Sequence, residues 1–466
     1  MMTDLPTIEE AAARLRAGDV TAVELATRSL DQIEREQETN NAFITVTPDV
    51  ALQQAEQADR ELAAGRDRGP LTGVPIGIKD LFDTNGIRTT CASRLLADRV
   101  PDRDADVVAR LRVAGAVLMG KLNMDEFAFG PHQEWFGRTN NPYDLTRTAG
   151  GSSGGSGAAV ATGAVFGAVG TDTGGSIRMP ASFCGVVGLK PTHGRVSLDG
   201  VHKIAWSLDH AGPFGRTVRD ARAMFDAIVD RRGAAPAPLA EHPTLAVLRR
   251  AVDDATPGVR SAVAAALNEL ERAGATIVEA REIRGIDQHL AAFMITVIGE
   301  ASLGFEELLR DSADGISPKI RANLQLGAEL RAADYLRAQR YRTMLRESVT
   351  AALEGIDAIV TPTMQREPWT WEELDALEEL VVFGYTAPFS LSGNPALSVP
   401  VPSDGLPVGM QLVGHHGEDE RLFDLAEWVE GRLRPTVARA TTERTGPTEE
   451  ETSWPRTAEE HSRSRL

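Results

Sequence analysis

The sequence predicts an α/β fold, a central β-sheet covered by many α-helices, and three observations carry that expectation. The chain has 466 residues, 42% of them hydrophobic, enough for one large buried core. Its first 66 residues read largely as helices. From Leu71 the pattern changes to short apolar runs alternating with amphipathic segments, as strands covered by helices require.

Thr7 with Glu10 and Thr21 with Glu24 each fit a capping box, in which a hydroxyl caps the backbone N–H three residues on and the carboxylate reaches back. Thr47-Pro48-Asp49 opens a third helix, and residues 42–46 read as a short strand before it. Residues 74–79 and 116–120 read as strands around a helix over 105–114. A Gly/Ser/Ala-rich block with apolar interruptions fills 149–194. Helical segments follow near 217–231, 257–273, 287–310 and 326–354, and strands over 356–360, 396–401 and 408–413. No repeat and no clear linker is visible. The expected organisation is an N-terminal helical segment over 1–66 packed on a core domain over 67–436, with the polar, charged residues 437–466 as a disordered tail.

The net charge of −18 disfavours nucleic acid and anionic membranes as partners, because phosphate binding needs a basic face. The uncharged stretch 148–171 is interrupted by Gly and Ser and is no membrane span. Two cysteines, Cys91 and Cys184, cannot form a disulfide framework or a four-ligand zinc site, which favours a reducing, cytoplasmic location. The start, MMTDLPTIEE, shows no apolar signal-peptide core. None of the nine His, including the pair His415-His416, lies in a metal-like spacing, so neither metal nor cofactor is expected.

Only five of the 49 basic residues are Lys, and three of those end or interrupt apolar runs: Lys79, Lys121 and Lys190. Arg stays charged in proteins, whereas a desolvated Lys can lose its proton and act as a base. Chance and snorkelling are the bland alternative.

Glycine is concentrated too, with 13 of the 43 falling within 150–194. Gly150-Gly151-Ser152-Ser153-Gly154-Gly155-Ser156-Gly157 is not followed by Gly-Lys-Ser/Thr, as a phosphate cradle would be, and it continues into an apolar stretch, as a linker rarely does. Gly150-x-Ser152-x-Gly154 fits a nucleophile elbow, but the residues before it, 140–147, are not an apolar strand. A second glycine-flanked serine, Ser176, lies in Gly174-Gly175-Ser176-Ile177-Arg178. Glycines there let backbone N–H groups turn toward one point, as stabilising an oxyanion requires. Two serines and a neutral lysine suffice for acyl transfer without histidine.

The run from Gly150 through Ser176 to Phe183-Cys184-Gly185-Val186-Val187-Gly188-Leu189-Lys190-Pro191-Thr192 resembles the amidase signature, and Gly73-Val74-Pro75-Ile76-Gly77-Ile78-Lys79-Asp80 resembles that family's lysine motif. Gly120-Lys121-Leu122-Asn123-Met124-Asp125-Glu126-Phe127 and Gly405-Leu406-Pro407-Val408-Gly409 extend the likeness over roughly residues 7–430, and the 24-residue spacing of Ser152 and Ser176 matches the family's serine pair. The resemblance implies the mixed sheet of that family and a catalytic domain over 67–436. It also implies a triad: Ser176 as nucleophile, Ser152 on a cis peptide bond as bridge, Lys79 as base. The N–H groups of Thr173, Gly174, Gly175 and Ser176 would form the oxyanion hole. Ser153, Asp172 and Arg178 are expected to support the loop, the last two as an ion pair, and Cys184 to be inert packing.

One branch of the family, the ammonia-producing component of tRNA-dependent amidotransferases, hydrolyses glutamine within a complex, and Asn123-Met124-Asp125-Glu126-Phe127 resembles it. Two departures count against it. Pro131-His132-Gln133-Glu134-Trp135-Phe136-Gly137 replaces a Ser-rich segment, and Phe383 falls where that branch carries an aspartate for the glutamine amino group. The leading expectation is therefore a hydrolase of small-molecule amides, with anilides or carbamates included; a carbamate- or urea-type hydrolase of the same family is a further alternative. Met124, Phe129, Trp135, Phe383 and Tyr385 are its candidate substrate contacts, and Trp369 and Trp371 further aromatic candidates. Its expected partners are a small-molecule substrate and, as an option, a second copy of itself.

Overall fold

The computed structural model describes residues 5–130, 133–230, 238–312, 315–376 and 383–433. Among these lie thirteen strands: β1 (Phe43–Val46), β2 (Pro75–Lys79), β3 (Val117–Leu122), β4 (Asn140–Asn141), β5 (Asp144–Thr148), β6 (Gly167–Asp172), β7 (Val187–Lys190), β8 (His210–Gly215), β9 (Thr244–Val247), β10 (Thr276–Glu279), β11 (Ala358–Pro362), β12 (Ala396–Val401) and β13 (Val408–Val413). β4 and β5 form a small ribbon. The other eleven make one sheet in the order β1-β3-β2-β6-β8-β7-β12-β13-β11-β9-β10. β2 runs parallel to β3 and β6, while β6 and β8, and β12 and β13, are antiparallel. The sheet is mixed and helices cover it, as expected.

Both faces of the central strands are covered, so every residue of β2, β3 and β6 is buried, and their runs up to Lys79, Lys121 and Thr171 are apolar rather than alternating. The capping boxes at Thr7 and Thr21 form as read, opening helices Ile8–Ala17 and Ala22–Asn40. The helix expected near 287–310 is two helices, His289–Gly304 and Glu306–Ser312. The segment expected from 326 begins at Ala332, because Pro318–Ala328 is a separate helix. β6 was hidden in the glycine-rich block, since glycine weakens the strand signal. Gly170 is needed there: a β-carbon on it would lie 2.7 Å from the Phe214 ring and 2.8 Å from Ser153 Oγ.

No described helix is long and apolar enough to cross a membrane. The tail expected over 437–466 lies outside the described residues.

Candidate active site

Lys79 ends β2 and Asp172 ends the adjacent parallel strand β6, so both lie at the carboxyl edge of the sheet, where open α/β sheets place their clefts. The loop after β6 carries Ser176 into helix Arg178–Phe183. Ser152 sits before helix Gly154–Ala161, and the Gly151–Ser152 peptide bond is cis. Ser153 stitches the two segments together. Its N–H donates to the Ser176 carbonyl at 3.2 Å, and its Oγ donates to the Thr171 carbonyl at 3.1 Å.

Lys79 is fully buried, and its Nζ lies 2.8 Å from Ser152 Oγ and 2.7 Å from Thr171 Oγ1. Burial lowers its pKa to about 7, against the upward pull of the Asp125, Asp172 and Asp209 carboxylates. The other two lysines singled out in the sequence are held differently. Lys121 donates to the Phe82 carbonyl at 2.7 Å and to Thr89 Oγ1 at 2.6 Å, with Asp80 Oδ1 at 3.4 Å. Lys190 donates to the Pro191 and Asn394 carbonyls at 2.9 and 2.6 Å. Its third neighbour is His210 Nε2 at 3.2 Å, and this nitrogen accepts, because His210 Nδ1 must donate to the Asp172 carbonyl at 3.0 Å. Carbonyls and carboxylates only accept, so Lys121 and Lys190 are fixed as donors. The Thr89 hydroxyl spends its own proton on the Ile87 carbonyl at 3.1 Å, so it too only accepts from Lys121. Among the described residues no acceptor takes the Ser152 or Thr171 hydroxyl proton; Lys79 alone of the three therefore sits where a proton can pass either way.

Arg178 and Asp172 form a buried pair at 2.8 Å. All five N–H groups of Arg178 are used: two on Asp172, and one each on the Thr386 carbonyl, Gln411 Oε1 and Ser390 Oγ, at 2.8–3.0 Å. Asp172 Oδ2 also accepts the Ile177 N–H at 3.1 Å, which fixes the turn just after Ser176. Gly175 has φ +146°, and a β-carbon there would lie 2.3 Å from Thr386 Oγ1, so only glycine fits. Among the described residues, the N–H groups of Gly174, Gly175 and Ser176 have no protein acceptor.

Ser152, Thr173 and Ser176 open into one cavity of about 880 Å³ counted out to its mouth. Of the aromatic and apolar candidates, Phe129, Phe383, Trp369 and Trp371 line it. Met124, Trp135 and Tyr385 are not in the lining. Met124 is fully buried, Trp135 Nε1 donates to Glu126 Oε1 at 3.1 Å, and the Tyr385 hydroxyl donates to Asp254 at 3.0 Å. They are apolar or aromatic like the wall residues, and packing separates the two groups. The sequence reading did not single out Phe293, Met294 and Val297, which form a wall from helix His289–Gly304. The ring centroids of Phe293 and Phe383 are 4.9 Å apart. A long apolar helix carries no local mark of a binding role, so no signal would have found these residues. Cys184 is buried and its thiol pKa is raised by burial. No group of three or more potential metal ligands occurs among the described residues.

The family model described as Amidase matches residues 24–423. The A-type subunit of the glutamyl-tRNA(Gln) amidotransferase of Symbiobacterium thermophilum is 40% identical over 464 residues, covering 89% of this chain and 95% of its own. A crystal structure of an amidase superposes with a TM-score of 0.84 at 34% identity, covering 92% of this chain and 100% of that one. The native peptide amidase from Stenotrophomonas maltophilia does so at 0.80 with 30% identity, covering 93% and 99%. Fold and matches together define a hydrolase acting on carbon–nitrogen bonds. The chain belongs to the Amidase family, the amidase signature enzymes.

Proposed function

We propose that this protein is a stand-alone hydrolase of small-molecule amides, anilides or carbamates with an apolar or aromatic group, acting through Ser176, Ser152 and Lys79 within a catalytic domain over 67–436. The observation that carries this reading is Lys79, buried against two hydroxyls with its pKa near 7. Ser176 Oγ attacks the carbonyl carbon while its proton passes through Ser152 to Lys79 Nζ. The N–H groups of residues 173–176 receive the developing oxyanion. Ser152 returns a proton to the leaving nitrogen, the carbon–nitrogen bond breaks, and water hydrolyses the acyl-enzyme.

A second reading, the glutamine-hydrolysing component of an amidotransferase, is favoured by the 40% identity to such a protein. The cavity wall argues against it. Among the described lining residues the only charged side chain is Asp125, and no cation is present to meet the carboxylate of glutamine. Labelling with a fluorophosphonate, with and without Ser176→Ala, tests the nucleophile: wild-type protein that resists modification at Ser176 would sink the assignment. A hydrolysis panel of glutamine, aliphatic amides, anilides, carbamates and esters tests the substrate class. Strict preference for glutamine would establish the second reading.

A further inference from the structure

Thr173 lines the cavity beside Ser152 and Ser176, and its hydroxyl proton is already committed. Thr173 Oγ1 donates to Asp209 Oδ1 at 2.6 Å. The other oxygen, Asp209 Oδ2, accepts the Ile204 and Ala205 N–H groups at 2.8 and 3.0 Å. Backbone N–H groups cannot reverse their role, so they fix Oδ2 as an acceptor and favour the ionised carboxylate, whose Oδ1 then accepts from Thr173 and sets the direction of its O–H. Pairing of Asp172 with His210 at the end of β6 and start of β8 brings the next residue, Thr173, beside Asp209. Burial raises the Asp209 pKa to about 6, which leaves it a carboxylate at neutral pH. No described residue donates to Thr173 Oγ1. What the hydroxyl offers the cavity is lone pairs only.

We infer that Thr173 is a specificity-determining acceptor for the proton on the scissile nitrogen, with Asp209 as the positioning residue that sets its polarity, so that the site takes N–H amides in preference to the corresponding esters. An ester oxygen in the same place would bring lone pair against lone pair. This inference rests on the proposed amide hydrolysis at Ser176.

The test compares an anilide with the phenyl ester of the same aryl acid, with rates normalised to the active sites that a fluorophosphonate titrates. Thr173→Val removes the acceptor at nearly constant volume, and the anilide-to-ester ratio of kcat/KM is expected to fall about tenfold, the scale of one neutral hydrogen bond. Thr173→Ser restores the hydroxyl and the ratio. Asp209→Asn would give its oxygen to the two backbone N–H groups and its NH2 to Thr173, freeing the hydroxyl proton toward the cavity, and it too is expected to lower the ratio. Equal loss on both substrates in Thr173→Val and Asp209→Asn would reduce these residues to structural parts and overturn the inference. A wild-type protein that hydrolyses neither substrate, or whose Ser176 is not labelled, sinks the proposed function itself and this inference with it.

Discussion

Lys79 Nζ lies 2.8 Å from Ser152 Oγ, although 73 positions separate the two residues in the chain. The parallel pairing of β2 with β6 brings Lys79 beside Thr171, and Ser153, bonded to the Thr171 carbonyl, holds its neighbour Ser152 against them; both Lys79 and Ser152 are buried.

The first prediction concerns pH. With the Lys79 pKa lowered to about 7, kcat/KM for an uncharged amide should rise as pH increases through that value and then level off, because the proposed base is the neutral amine. A pH–rate profile measured from about 5.5 to 9 checks it; a flat profile would remove Lys79 as the base.

The same burial has a sign in stability. Lys79 binds a proton less readily when folded than when unfolded, so its burial penalty is full below about 7 and is relieved as pH climbs toward the unfolded value of ~10.4. Lys79→Met should therefore be inactive, and its stability relative to wild type should be most favourable near pH 7 and decline toward pH 10. Urea unfolding of both proteins at about pH 7 and about pH 9.5 reads the difference.

Ser152→Ala should leave the fold and the labelling site in place but lower kcat by about 10²–10⁴-fold, the usual weight of a proton-transfer group. Single-turnover kinetics will place the loss in acyl-enzyme formation. An effect confined to KM would mean that Ser152 only binds substrate.

Arg178→Ala would leave the buried Asp172 carboxylate without its cation, at a cost of about 3–5 kcal/mol in unfolding free energy. Arg178→Lys should recover little of it, because an ammonium cannot reproduce five donors spread over Asp172, Thr386, Ser390 and Gln411. Denaturant melts of the two variants give the comparison.

Phe293→Ala opens the apolar wall and should lower kcat/KM for an anilide about 10–200-fold while barely changing that for acetamide, which does not fill the cavity. Steady-state kinetics on both substrates separates a lost wall from a disturbed loop.

Local interactions and ordered motifs were legible from the residues alone. The capping boxes at Thr7 and Thr21 need only residues three apart, so they form as the sequence predicts. The glycine-flanked serines and the retained lysines marked the segments that meet at the site, and the likeness of the motifs to the amidase signature pointed to the family. Apart from that likeness, nothing in the pattern of residues distinguished Lys79 from Lys121 and Lys190. All three interrupt or end apolar runs, and all three are buried.

Tertiary structure decided between them by the partners it supplied. Hydroxyls around Lys79 can exchange a proton, whereas the carbonyls around Lys190, and the carboxylate, the carbonyl and the Thr89 hydroxyl committed to Ile87 around Lys121, only accept hydrogen bonds. The cavity wall was decided in the same way. Phe293 reaches Phe383 from a helix remote in sequence, while Tyr385, two residues beyond Phe383, turns its hydroxyl to Asp254. Periodicity tells which residues are buried, but which buried residues face one another depends on strand register and helix packing across the whole chain.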